Sequence, residues 1–344
     1  MLAAPYTSGM SRPLRYLSAA DVTQAMPPVA ERLRLAERTL TALVADADLP
    51  AKIGVHPRPD GSFAHAMPAW LRGATADGGA DALGIKWVTG FPANRDHGLP
   101  AIHATVVLND PQTGEPMAIL DGGPITADRT AAVSGVAIRR FGPTGSGDDG
   151  PAPVVAILGA GVQGHSHLAV IAEVLPGAHL VVADRHPDRS EALAAAARDV
   201  PGIGEARTAT TARAATEAAD VVISAVSFTT PDRRGAMTGD WVHEDALVVA
   251  VDYATMCAAS LARDAALFVV DERGQFVANR DAGQFDGYPD PTATLGEAIL
   301  ADRRRPPHGR VVVTHLGVGL ADVVFARAIV DRAVELGLGT PLGR

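Results

Sequence analysis

Cysteine is nearly missing from this chain: Cys257 stands alone among 344 residues. An internal disulfide framework is therefore excluded, and such usage suits a reducing compartment. Long apolar runs are missing too. No stretch reaches the ~18 consecutive apolar residues of a membrane span, and the opening MLAAPYTSGMSRPLRYLS has no secretory apolar core. The expectation is a cytoplasmic protein without a membrane partner, preceded by a disordered leader over its first dozen residues. Positive charge is in deficit, with 30 Lys+Arg against 39 Asp+Glu, which argues against nucleic acid as a main partner. Aromatic residues amount to 4%. That level fits close-packed helix-on-sheet layers, though a biased base composition would produce it as well. No GxSxG, Walker or zinc-finger pattern occurs. His165 and His167 stand two apart with no HExxH, so their rings face different ways and no metal site is expected.

What is present is enough apolar residue, 47% against 20% charged, to build a sizeable core, and enough length for two domains. The most informative stretch is VVAILGAGVQG, residues 154–164, followed by Asp184 at the end of LVVAD. A buried strand, a glycine turn and a helix-compatible segment follow one another as a dinucleotide-binding fingerprint requires. Gly159 permits the tight turn, Gly161 lets the backbone approach a pyrophosphate, and Gly164 lets helix and strand pack closely. Ala160, Val162 and Gln163 complete the turn, whose amides at the helix start hold phosphate charge. Asp184 is placed for the ribose hydroxyls and favours NAD, while the adjacent Arg185 would suit the 2′-phosphate of NADP.

Around this motif the chain divides. Ser18 and Asp21 open a first helix as a capping box, and a second amphipathic helix covers about Val29 to Ala45. Strand-like segments fill the stretch from Ile53 to Leu120, among them LGIKWVTG, AIHATVVLN and MAILDG, and a helix of small residues runs from Asp128 to Phe141. GPTGSGDDGPAP, residues 142–153, is the clearest break in composition. Beyond it, apolar runs at Val154–Leu158, Leu180–Ala183, Val221–Ala225, Leu247–Val251, Leu267–Val270 and Val311–His315 alternate with helical stretches. The fold class expected is α/β: a doubly wound parallel sheet of Rossmann type beside an α+β domain. The helix from Leu320 to Leu336 follows the last strand and would return to the first domain.

Ligands of such sheets sit at the carboxyl ends of the strands. Those ends carry Ser224, Ala225 and Val226 beside the cofactor path, and Asp252 nearest the place where a nicotinamide would project. Asp252 either takes a proton from a substrate amine or alcohol or caps the segment YATMCAASL that follows it. Arg58, Lys86 and Arg129 would suit a carboxylate substrate, or they are solvated surface charges. Lys86 stands out because its strand is otherwise apolar.

KWVTGFPANRDHGLPAIHATVVLNDPQTGEPMAILDGGPITADRTAAVSGVA resembles the ornithine cyclodeaminase/μ-crystallin family. The resemblance runs from RYLSAADV through HPRPDGSFAHAMPA and the glycine motif to THLGVGLADVVFARAIVDRAVELGLGT. It implies a homodimer, with a substrate-binding and dimerisation domain over 1–128 and 315–344 and an NAD-binding domain inserted over 129–314. It also implies chemistry on α-amino acids or their imines, as dehydrogenase, ketimine reductase or cyclodeaminase, with a non-catalytic cofactor-binding protein as the alternative. By motif, the family's carboxylate ligands fall on Arg58, Lys86 and Arg129, and its catalytic aspartate on Asp252; Lys86 joins Asp252 as a catalytic candidate. Three departures stand out. Ala101 replaces a threonine, Asp128 puts a carboxylate beside Arg129, and YATMCAASL lacks the Gly-Lys-Glu pattern of the ornithine enzymes, which weakens ornithine as substrate.

Overall fold

The computed structural model describes residues 13–58, 61–73, 81–143 and 151–343. The expected leader and most of the glycine-rich break at 142–153 lie outside these residues.

Short runs of Val, Ile and Leu in the second half are buried on both faces, and such runs pair stably only where helices cover both sides. They form a sheet in the order Ile203–Thr208, Ala178–Ala183, Val154–Leu158, Val221–Ser224, Leu247–Ala250, Val311–Thr314, Leu267–Val270 and Ala293–Thr294. Every pairing in it is parallel. The chain begins inside the sheet at Val154–Leu158, steps outward twice, then returns to the other side of its first strand. That reversal opens a crevice at the carboxyl ends of Val154–Leu158 and Val221–Ser224, the doubly wound arrangement expected. The edge strand Ile203–Thr208 escapes the apolar-run signal because only Ala206 in it is buried.

The first half builds a mixed sheet in the order Thr340–Leu342, Leu14–Leu17, Pro116–Asp121, Ile102–Asn109, Ala82–Gly90, Phe63–Leu71 and Ala47–Asp48, with Ile53–Val55 also on Phe63–Leu71. Leu14–Leu17 lies antiparallel to Thr340–Leu342, so both ends of the described chain meet here and the parallel sheet is built between them. Burial alternates along Ala82–Gly90: Ala82, Gly84, Lys86 and Val88 are buried, while Leu83, Ile85 and Thr89 are half-buried and Trp87 is exposed. A period of two gives one face to the helices and turns the other outward. Helix Gly319–Glu335 covers the inner face, packing on Phe63–Leu71 and Ala82–Gly90.

The helix expected from Asp128 begins instead at Gly122 and runs to Phe141. GGP looks like a turn, but Asp121 accepts the amide of Gly123 at 2.8 Å and Pro124 occupies the first turn, where no N–H is needed. This helix packs on Val29–Ala45 and on Val162–Val174, joining the two sheets. Among the described residues no helix is long and apolar enough to cross a membrane.

Candidate active site

The glycine turn has the shape its residues predict. Gly159 has φ of 100°, and a Cβ there would come 2.5 Å from the Ala225 carbonyl oxygen. At Gly164 a Cβ would meet the Gly159 oxygen at 2.6 Å, whereas one at Gly161 would meet only open space. Gly161 caps helix Val162–Val174 without any side-chain hydrogen bond, which leaves first-turn amides for an anion. The Ala160 amide donates to Asp184 Oδ2 at 2.8 Å and the His186 amide to Oδ1 at 2.9 Å, so Asp184 pins the turn from the next strand. Arg185 is exposed, its Nε donating to His186. An open cleft of about 490 Å³ lies beside Ala160, Gly161, Val162, His165 and Arg189. These residues fit the pyrophosphate of a dinucleotide: the backbone is bare where a phosphate must approach, and its amides point there.

Asp252 is 2% exposed, just beyond strand Leu247–Ala250. Ser224 donates its hydroxyl to Asp252 Oδ2, and the Val226 amide donates to the same oxygen at 3.2 Å. The other oxygen, Oδ1, is buried with no hydrogen-bond partner among the described residues. Burial pushes the carboxyl up to about 6, although Ser224 and the Val226 and Met256 amides favour its charged form. Ser224, expected beside the cofactor, is wholly buried and turned onto Asp252. Its role in the structure is to orient that carboxylate.

Lys86 and Arg129 come together on Asp322, a residue that no sequence motif singles out. Lys86 Nζ lies 2.8 Å from Asp322 Oδ2 and Arg129 Nε 3.2 Å from Oδ1. All three are buried. Burial brings the Lys86 ammonium down to about 7, with Asp322 opposing the shift and Arg129 adding to it. Gly317, with φ of 77°, is required beside the guanidinium, because a Cβ there would lie 2.4 Å from an Arg129 Nη. Two cations share one carboxylate, so a net positive charge is left for an anionic ligand. Asp128, the carboxylate next to Arg129 in sequence, is engaged by Arg32 at 2.6 Å.

The structure leaves Arg58 out of this cluster. It is exposed on the loop after the edge strand Ile53–Val55, and its Nη1 donates to the neighbouring Pro57 carbonyl. The third cation is Lys52, which nothing in LPAKIGVHPRP distinguishes in sequence. Half-buried, it donates to the Leu316 carbonyl at 2.9 Å and lies 3.5 Å from the Tyr253 hydroxyl. Its charge acts on Lys86, His65 and Asp271. Asp271 in turn accepts the Gly317 amide at 2.7 Å. Asp322 did leave a signal, as the one acid within the apolar run GLADVVFARAIV.

His165 and His167 separate as their spacing predicts. The first lines the nucleotide cleft, and the second is buried against Ser134, whose hydroxyl also contacts His315 Nε2 at 2.9 Å. Burial drives His167 to about 4 and His315 to about 3, so both are neutral rings.

The family described as the ornithine cyclodeaminase/mu-crystallin family matches residues 16–337. Among curated proteins, the nodulation efficiency protein NfeD of Rhizobium meliloti is 34% identical over 342 residues, covering 96% of this chain and 99% of that protein. The ketimine reductase mu-crystallin of Mus musculus is 31% identical over 274 residues, covering 78% and 80%. Among solved structures, the Thermococcus litoralis Delta(1)-pyrroline-2-carboxylate reductase in complex with NADH and L-proline superposes with a TM-score of 0.82 at 26% identity, covering 96% of this chain and all of that one, 100%.

Proposed function

Because the chain belongs to the ornithine cyclodeaminase/mu-crystallin family, we propose that it is an NAD-dependent oxidoreductase acting at Cα of an α-amino acid or of the corresponding imine. One observation carries this reading: Lys86 and Arg129 share a single buried carboxylate, Asp322, and Lys52, whose charge acts on Lys86, reaches the residue next to Asp252. The cations take the substrate carboxylate and fix Cα. Such alignment supplies as much as roughly 7–11 kcal/mol of barrier reduction. The buried Oδ1 of Asp252 takes the proton of the α-amine, since only the neutral amine releases hydride readily, and returns it when an imine is reduced. Gly159–Gly164 hold the pyrophosphate, and Asp184 supports NAD over NADP because a 2′-phosphate would meet its charge. When bound, the nicotinamide supplies the two-electron chemistry, exchanging a hydride with Cα.

The expected assay result is stoichiometric change in NADH with an amino acid or a cyclic imine. A panel followed for NADH and ammonia together decides the matter. Ammonia release without net NADH points to a redox-neutral cyclodeaminase, and cofactor binding without turnover of any member defeats the enzymatic reading. Within the clamp, Lys52→Ala should raise KM roughly 10–100-fold, the worth of one hydrogen bond to a charged group, while Arg58→Ala should change it by less than about twofold, as for an exposed charge. Equal effects of the two substitutions on KM would return Arg58 to the site.

The organisation that supports this chemistry is a substrate-binding domain over 1–128 and 315–344 and a nucleotide domain over 129–314, with helix Gly122–Phe141 shared between them. The outer face of the first sheet brings Ile85 into register with Val107, and Val107 with Ile119, beside the exposed Trp87. Contiguous apolar surface of this kind suits a protein interface, and a second copy of the chain is the partner proposed. Sedimentation should give twice the 35.4 kDa chain mass, and Trp87→Glu should give one.

A further inference from the structure

Backbone strain marks the residue that follows Asp252. Tyr253 has φ of 59°, and among the described non-glycine residues only Asp302 shares a positive value. Such a conformation is strained for a residue with a Cβ and persists only where its surroundings hold it in place. Tyr253 is held by its hydroxyl, which donates to the Leu316 carbonyl at 3.2 Å, the same oxygen that receives Lys52. Its ring lies between Phe285, with centroids 5.7 Å apart, and Phe228, at 5.2 Å. Phe285 is fully buried and Phe228 is 60% exposed, so the three rings form a row from the core to the surface.

This row touches the site at two points. Tyr253 adjoins Asp252 and meets Lys52, and Phe228 stands two residues beyond Val226, whose amide holds the Asp252 carboxylate. Leaving most of a phenylalanine ring exposed forgoes much of the stabilisation its burial would give. In a chain with eight phenylalanines, that ring is placed where a ligand would cover it.

We propose that Tyr253 and Phe228 form the wall that reads the substrate side chain, selecting α-amino and α-imino acids with an apolar, ring-bearing side chain over small aliphatic ones. The inference rests on the oxidoreductase reading above. With the carboxylate on the cations and the nitrogen on Asp252, the third substituent of Cα falls to the surface that borders both, and that surface is aromatic. A ring on this wall gains apolar burial and an offset or edge contact with Phe228, which a methyl group cannot make.

The test compares imines formed from ammonia and either phenylpyruvate or pyruvate. In each turnover a hydride passes from NADH to the imine carbon and a proton to its nitrogen, giving the amino acid and NAD⁺. The ratio of kcat/KM for the phenyl over the methyl substrate should be at least roughly 10 in the unmodified protein. Phe228→Ala should lower that ratio by about 10-fold, and Tyr253→Phe, which keeps the ring, should preserve it. A ratio near one, or one unmoved by Phe228→Ala, overturns the proposal. Calorimetric titration of the two oxo acids into NADH-loaded protein probes the wall independently of turnover. Tighter binding of phenylpyruvate that is lost in Phe228→Ala supports the wall even if no imine is reduced, an outcome that defeats the oxidoreductase reading alone. Equal binding of the two acids overturns the wall whatever the turnover.

Discussion

Asp252→Asn should reduce amino-acid oxidation by roughly 10²–10⁴-fold, the usual contribution of a positioned general base, with NADH still bound. Asparagine keeps the shape and can still accept from Ser224, but it cannot take a proton from the amine. The pH profile gives a second handle, because burial holds this carboxyl at about 6. Oxidation uses the ionised form, so its kcat/KM should fall as pH drops through about 6. Imine reduction uses the acid form and should slow as pH climbs above the same value. Both slopes should vanish in the variant. Stability follows the opposite logic. A folded-state value raised from 3.8 to about 6 means that folding favours the neutral acid, so stability is lost as pH rises through that interval. The loss is on the order of 3 kcal/mol, and the variant should therefore melt no lower than the parent at neutral pH. Near-normal turnover, or an unchanged pH profile, would remove Asp252 from the mechanism.

Asp322→Ala should be the most destabilising single substitution at the site. Asp322 is wholly buried, and its removal leaves the buried side chains of Lys86 and Arg129 without their shared anion. Breaking a buried ion pair from one side costs about 3–5 kcal/mol, which corresponds to a fall on the order of 10 °C in Tm. The sign of the pH dependence is fixed by Lys86. Its folded-state value lies far below 10.5, at about 7, so the folded protein binds fewer protons than the unfolded chain between those limits and stability rises with pH there. Asp322 is what raises that value, so in the variant Lys86 becomes neutral still more readily and the stabilisation begins at lower pH. Adding Lys86→Met should recover much of the loss, because folding then no longer has to strip the proton from a buried lysine. Calorimetric scans of the single and double variants across pH test this; an unchanged Tm in the single variant would show that the cations do not depend on Asp322.

The parallel sheet and its glycine turn were legible in sequence for a physical reason. Strand, glycine and helix signals in VVAILGAGVQG act between near neighbours, and strands buried on both faces must be apolar throughout. Edge elements were not legible on the same grounds, since Ile203–Thr208 buries only Ala206. The GGP start of helix Gly122–Phe141 was hidden because the residues that favour turns also suit a first helical turn.

The site divides in the same way. The sequence alone determined that a dinucleotide turn is present, that Asp252 ends a central strand, and that Lys86 stands out as a cation in an apolar strand. Only the tertiary structure decided that Lys86 and Arg129 both answer to Asp322, that Ser224 serves Asp252, and that Lys52 meets Leu316 and Tyr253 while Arg58 stands exposed. A charge's worth depends on burial and on which distant groups share that burial. Both are set by how the C-terminal helix and the edge loop pack, and no local pattern in the chain encodes them.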